Sequence, residues 1–376
     1  MKVIPRTIQK KIENRLFKGK VIIVYGPRQV GKTTLIKEIQ KRRSEKSVYL
    51  NCDEPDIRQM LTDVTSTEIK ELIGSNTLVF IDEAQRVKNI GITLKIIADT
   101  FPDKQAVATG SSSFDLSNKI AEPLTGRKYE FYLYPYSIEE LSRTYSDIEI
   151  KRILEKRILF GMYPEIVQGN NEAAIQLRSI TQSYLYKDVL QYQYIKNPEV
   201  LEKLLQALAL QIGNEVSYNE LSELVGVDKK TVSNYIQILE KAFVIFRLMP
   251  FSRNIRNELK KLRKIYFYDT GIRNALINNF NALNLRQDTG NLWENFIISE
   301  RIKFNRNHFI YKNIYFWRTH GQQEIDYLEE EQGRLQGFEF KWNKKTFRKP
   351  RAFLDAYPGS TVELINKDNF SKFITG

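Results

Sequence analysis

Short apolar runs alternate with helix-period stretches over the first 145 residues. Val21–Tyr25, Val48–Asn51, Leu78–Ile81, Ala106–Thr109 and Tyr129–Leu133 are brief and rich in β-branched or aromatic residues. Several are apolar without interruption, which suits strands of a parallel sheet covered on both faces. Between them, Thr33–Arg43 and Val87–Thr100 carry helical patterns. This is the βαβ rhythm of a doubly wound α/β domain.

Farther along, the pattern changes twice. Residues 146–265 read as mostly helical, and Ser217 with Glu220 has the spacing of a capping box. Leu221–Val225, the turn Gly226-Val-Asp228 and Lys229–Ala242 read as helix, turn, helix. Phe243–Met249 and Lys264–Tyr268 then read as paired strands, the order of a winged helix. Residues 266–376 combine a helix, Asn291–Asn305, with strands at Ile314–Arg318, Glu324–Leu328, Leu335–Lys341 and Thr361–Asn366. Three domains are therefore expected, over 1–145, 146–265 and 266–376.

Composition narrows the function class. With 42% hydrophobic residues in 376, the chain can bury a large core. Lys and Arg number 58 against 45 Asp and Glu, a net charge of +13 that favours a polyanionic partner. The excess is shared by all three parts, so no basic tail explains it. One cysteine, Cys52, excludes an intrachain disulfide, and two histidines leave little for a Cys/His zinc site. No apolar run nears the ~20 residues that span a bilayer, and the N-terminus lacks an apolar signal core. The expected compartment is a reducing cytoplasm, with no membrane partner.

The sharpest motif is Gly26-Pro27-Arg28-Gln29-Val30-Gly31-Lys32-Thr33, which meets every fixed position of G-x-x-x-x-G-K-[ST] and runs on into Thr34. The glycines let the loop wrap so that backbone N–H groups face phosphate oxygens. Lys32 would reach the β- and γ-phosphates and Thr33 would offer its hydroxyl to Mg²⁺. The positive end of the following helix completes the cradle. The motif follows one expected strand and opens one expected helix, which sets it apart from a chance match. Leu78-Val-Phe-Ile-Asp82-Glu83 is an apolar strand ending in two carboxylates. Asp82 would hold Mg²⁺ and Glu83 would orient or deprotonate an attacking water. Alone, such a pair reads as a solvated turn. Beside the phosphate loop it reads as hydrolytic chemistry.

With Gly26–Thr33, Phe80-Ile-Asp-Glu-Ala-Gln85, Thr109-Gly-Ser-Ser-Ser113 and Leu124-Thr-Gly-Arg127 in order, the chain resembles the AAA-type P-loop ATPases that carry a winged helix and a restriction-endonuclease-like C-terminal domain. Gly161-Met-Tyr-Pro-Glu165, Tyr184-Leu-Tyr-Lys-Asp188, Tyr268-Asp-Thr-Gly271 and Gly290-Asn-Leu-Trp-Glu294 extend the resemblance over nearly the whole chain. It implies ATP and Mg²⁺ as cofactors. It also implies a γ-phosphate sensor at Ser111 or Ser112, with Ser111 nearer the strand end. Arg127 is similar to the family's arginine, which stabilises transition-state charge from its own subunit or a neighbour in a homo-oligomer. An ordinary surface arginine is the competing reading.

DNA enters through three features. On the first turns of the Lys229–Ala242 helix, Lys229, Lys230, Thr231, Ser233 and Asn234 occupy the positions from which a recognition helix contacts DNA. Such modules also serve as packing units. Two basic runs, Arg253 to Lys264 and Lys341 to Arg351, suit a phosphate backbone or a solvated face. Finally, Glu339 and Lys341 alternate onto one face of a strand, and a hairpin through 329–333 brings Asp326 beside them. Two carboxylates could there hold Mg²⁺ while Lys341 orients water. The set resembles a restriction-endonuclease-like site with Glu294 as a preceding helical acid. An ordinary same-face ion pair is the alternative. The expected activity is ATP hydrolysis coupled to DNA binding or processing. The alternative is an ATP-operated switch, or a DNA-binding regulator whose nuclease-like domain is inactive.

Overall fold

The computed structural model describes residues 4–110, 116, 119–169, 172–184, 197–252, 263–319, 321 and 323–375. It divides into two compact units: Lys2–Tyr134 with Lys241–Phe243, and Pro135–Glu240 with Val244–Gly376.

The first unit is built on a five-stranded sheet in the order β2-β3-β4-β1-β5. Its strands are β1 (Val21–Tyr25), β2 (Ser47–Asn51), β3 (Leu78–Asp82), β4 (Gln105–Gly110) and β5 (Lys128–Tyr132), and every pairing is parallel. β1, β3 and β4 are buried along their whole length, whereas the edge strands β2 and β5 are half-buried. That is what uninterrupted apolar runs at the centre of a covered parallel sheet require. The helix Lys32–Arg42 buries Leu35, Ile36 and Ile39, a helical stripe whose full burial is worth roughly 1.5–3 kcal/mol per side chain. Parallel register brings Tyr25, Gly110 and Asp82 to the same, C-terminal edge of the sheet.

The second unit has a seven-stranded sheet in the order β12-β11-β10-β9-β7-β8-β6. The strands are β6 (Glu215–Val216), β7 (Ile245–Pro250), β8 (Arg263–Phe267), β9 (Asn313–Arg318), β10 (Glu324–Glu331), β11 (Arg334–Phe340) and β12 (Thr361–Ile365). β7 and β8 pair antiparallel as expected, after the helices Tyr218–Val225 and Lys229–Lys241. β7 also pairs parallel with β9, Met249 opposite Tyr315. The division expected at residue 265 therefore falls inside β8, and 146–265 and 266–376 share one sheet. The Ser217–Glu220 spacing does not become a capping box, since the Ser217 side chain makes no cap bond. Both reciprocal bonds form instead at Thr65/Glu68, Ser137/Glu140 and Ser146/Glu149.

Two of the quoted segments prove to be one lock. Gly161 has φ +72°, and a Cβ there would lie 2.0 Å from Asp269 Oδ1. Asp269 accepts from the N–H groups of Met162 (2.7 Å) and Ile272 (3.1 Å), tying the end of the helix Asp147–Phe160 to the start of Thr270–Leu276. Gly161-Met-Tyr-Pro-Glu165 and Tyr268-Asp-Thr-Gly271 thus serve packing.

Candidate functional site

At the C-terminal edge of the first sheet, the loop after β1 makes two left-handed bends, Gln29 (φ 61°) and Gly31 (φ 92°). A Cβ on Gly26 would sit 2.1 Å from the Leu133 carbonyl oxygen, so only glycine lets the backbone pass there. The helix Lys32–Arg42 begins at the loop's end and points its N-terminus into it. Lys32 is buried, and its Nζ donates to the carbonyls of Gly26 (2.8 Å) and Pro27 (2.9 Å), which lays the ammonium across the loop. Thr34 is exposed on the first helical turn, and Val30 is buried beneath the loop.

Thr33 and Asp82 meet at this edge of the sheet. Thr33 Oγ1 donates to Asp82 Oδ2 at 2.6 Å. Asp82 is buried and accepts from two further hydroxyls, Tyr49 at 2.6 Å and Thr109 through Oδ1. Burial and the Asp82 carboxylate together push the Tyr49 phenol up, which keeps it a donor. Burial also pushes the Cys52 thiol up to about 12, with Asp82 adding to the effect. Glu83 stands in a left-handed conformation (φ 52°). Its N–H donates to Thr109 Oγ1 (3.2 Å) and its carboxylate accepts from Gln85 Nε2 (2.6 Å). Thr109, Tyr49 and Gln85 escaped the sequence reading. Thr109 belongs to the quoted Thr109-Gly-Ser-Ser-Ser113 run, whose Ser111 and Ser112 lie outside the described residues.

This donor set fits a nucleotide with Mg²⁺. A hydroxyl and a carboxylate converge at hydrogen-bond distance beside a cradle that a side chain would fill, and Mg²⁺ takes one or two carboxylates plus phosphate oxygens. Arg127 does not join it. Val21 N–H donates to the Arg127 carbonyl and Lys128 lies opposite Val21, so Arg127 sits at the N-terminal edge of the sheet. The loop lies a full strand away, about 17 Å for five residues. Arg127 Nε instead pairs with Asp99 at 2.7 Å, half-exposed. This placement sets Arg127 apart from its own subunit's phosphate loop.

In the second unit, the four expected acid–base residues do assemble, with additions. The hairpin turns at Gln332 and Gly333, both at positive φ, so β10 runs to Glu331. The register of β10 against β9 slips between Ile325 and Leu328, an irregularity that frees Asp326 from plain pairing. Asp326 Oδ2 accepts the Phe340 N–H (2.8 Å) and lies 3.7 Å from Lys341 Nζ, which contacts Glu339 Oε1 at 2.7 Å. Glu294, on the helix Thr289–Asn307, accepts from Tyr266 and pairs with Lys264 Nζ at 3.1 Å. Lys264 also pairs with Glu324 at 2.5 Å. Burial pushes the Glu294 carboxyl up to about 7 against the pull of Lys264. Burial and the neighbouring Asp326 push Glu339 up to about 7 against Lys341.

Divalent metal does not fit this cluster as it stands. Each carboxylate has an ammonium beside it, and the described residues hold no group of three or more His, Cys, Asp or Glu arranged to hold a metal ion. Lys264 also corrects the basic-run reading, since it is 3% exposed and faces inward. Arg263 lies over the Tyr218 ring at 4.3 Å, and Arg253, Arg256, Lys260 and Lys261 lie outside the described residues. In the second run, Lys344, Lys345, Arg348, Lys349 and Arg351 are exposed. On the helix Lys229–Lys241, Lys229, Lys230 and Asn234 are exposed and Ser233 is half-buried. Thr231 is spent on Asp228, to which its hydroxyl (2.5 Å) and N–H (3.0 Å) both donate.

The chain is similar to known proteins along most of its length. Residues 18–142 match an AAA domain model, while 151–283 and 289–370 match two domains of unknown function, DUF8612 and DUF4143. An uncharacterized protein of Mycobacterium tuberculosis is 27% identical over 342 residues, 89% of this chain and 73% of the relative. Another, of Methanocaldococcus jannaschii, is 26% identical over 348 residues, 86% of this chain and 75% of the relative. Among solved structures, the Walker-type ATPase of Pyrococcus abyssi aligns with a TM-score of 0.50 at 16% identity, covering 73% of this chain and 96% of that one. At that identity the likeness speaks to fold alone. The domain model over residues 18–142 and the fold agree on an AAA-type P-loop region. No helix among the described residues is long and apolar enough to cross a membrane.

Proposed function

We propose that this protein is a Mg²⁺-dependent ATPase of the cytoplasm whose nucleotide cycle acts on bound DNA. The observation that carries the reading is the meeting of Thr33, Asp82 and the Gly26–Thr33 loop at one sheet edge. Lys32 would neutralise β- and γ-phosphate charge, and Thr33 with Asp82 would hold the ion. When bound, Mg²⁺ supplies charge neutralisation between the phosphates. Glu83, steadied by Gln85 and Thr109, would take the proton of the attacking water. Ser111 would sense the γ-phosphate. Arg127 would serve only a neighbouring copy, which makes a homo-oligomer part of the reading.

The proposed division of labour sets an ATPase part over 1–145 beside a helical and winged-helix part over 146–265 and a restriction-endonuclease-like part over 266–376, the last two joined through one sheet. DNA would be held by Lys229, Lys230 and Asn234 and by the exposed cations Lys344 to Arg351, through phosphates and without strong sequence preference. The lysine-filled carboxylate cluster favours binding without cleavage in the C-terminal part. The test is ATP turnover by purified protein with and without duplex DNA. Lys32→Ala is expected to abolish it. Glu83→Gln should retain nucleotide while turnover falls roughly 10²–10⁴-fold. Equal turnover in wild type and Glu83→Gln would overturn the role of Glu83.

A further inference from the structure

Lys264 comes from β8, whereas the carboxylates it meets, Glu294, Glu324 and Asp326, belong to the helix Thr289–Asn307 and β10. Its backbone is clamped on both sides, opposite Glu215 of β6 and Leu248 of β7. The side chain passes the Phe316 ring, with Nζ 5.6 Å from its centroid, and ends between Glu294 and Glu324. A metal ion bound by those two carboxylates would sit 2.0–2.6 Å from their oxygens, the space the ammonium fills. A half-exposed lysine could leave it. A lysine 3% exposed, with its strand paired on both edges, has no such exit.

We infer that Lys264 is a tethered cation that closes this cluster to divalent metal ions, so that the C-terminal part holds its ligand without a metal. This deepens the non-cleaving half of the functional reading and is independent of the ATPase site. An ordinary structural ion pair would share the geometry but differ in one respect. Removing the lysine would leave a defect that metal cannot repair, whereas a closed metal site would open.

The experiment uses the full chain without nucleotide, in an Asp82→Asn background that silences the phosphate loop. Free Mn²⁺ is followed by electron paramagnetic resonance, and melting temperature is recorded with and without Mn²⁺. With Lys264 intact, little Mn²⁺ should be retained. Lys264→Met, or Lys264→Gln where the first variant folds poorly, should bind Mn²⁺ on the order of tenfold tighter and gain melting temperature from it. Adding Glu294→Gln should remove both effects. Mn²⁺ bound as tightly by the protein with Lys264 intact would overturn the inference, as would a folded Lys264 variant indifferent to Mn²⁺. A failed ATPase assay would leave both outcomes readable.

Discussion

Asp82 and Asp326 are both buried aspartates on sheet strands, 2% and 5% exposed, yet their surroundings differ in kind. Asp82 accepts from three hydroxyls, of Thr33, Tyr49 and Thr109. Asp326 accepts a backbone N–H and lies in a cluster with the ammonium groups of Lys341 and Lys264. A hydroxyl satisfies a carboxylate oxygen without cancelling its charge, for about 1.5–3 kcal/mol net. An ammonium cancels it, with an attraction of about 4 kcal/mol at 4 Å and an effective dielectric near 20. The first carboxylate stays available to an incoming cation; the second is already answered. A sequence motif lists acids, but the partners decide whether an acid is a ligand.

The largest effect expected from this contrast is on turnover. Asp82→Asn keeps shape and removes charge, and ATP hydrolysis should fall on the order of 100-fold. Asp326→Asn should leave hydrolysis within about twofold, since its charge is spent inside the second unit. A comparable loss in both would break the comparison.

Glu329 sharpens it as the extreme closed case. Its carboxylate takes two bonds from Arg301 (2.7 and 2.9 Å) and one from Lys312 (3.0 Å). Those bonds hold its pKa at about 2, although burial opposes them. Because the folded value lies below the usual 4.5, the stabilisation is present above pH ~4.5 and lost as pH falls towards 2. Glu329→Gln should cost about 3 kcal/mol at pH 7 in denaturant unfolding. The gap from wild type should narrow on acidification. A constant gap from pH 7 to 3 would refute the assignment.

The smallest effect concerns Arg127. Its half-exposed pair with Asp99 should contribute under about 1 kcal/mol, and nucleotide affinity should survive Arg127→Ala. If the arginine serves a neighbour, turnover falls in the variant and returns partly on mixing with Lys32→Ala protein. No recovery on mixing would remove Arg127 from the mechanism.

The phosphate loop was legible because its constraint is local. Glycines, lysine and threonine at fixed spacing describe one backbone wrap, and the strand before it is apolar throughout. Asp82 and Glu83 were legible for a related reason, being the polar end of an apolar strand. Tyr49 and Thr109 were not, since only parallel register carries β2 and β4 to the edge where Asp82 ends. Lys264 was misread because a lysine among arginines and lysines looks solvated, and its partners lie 30 and 60 residues away. The mispredicted cap at Ser217 shows the same limit at short range: the spacing is met and the bond is not made.

The pairing of β7 with β9 has a consequence for how this chain can be divided. A polypeptide ending near residue 265 would keep β7 but lose the strand opposite Met249 and Pro250, leaving main-chain donors and acceptors open along a sheet edge. One beginning near residue 266 would lose Lys264 and leave Glu294 and Glu324 without their counter-charge. Neither fragment would inherit a finished surface. The helical segment and the strands after it therefore have to be gained, lost or exchanged together, as a single hereditary block.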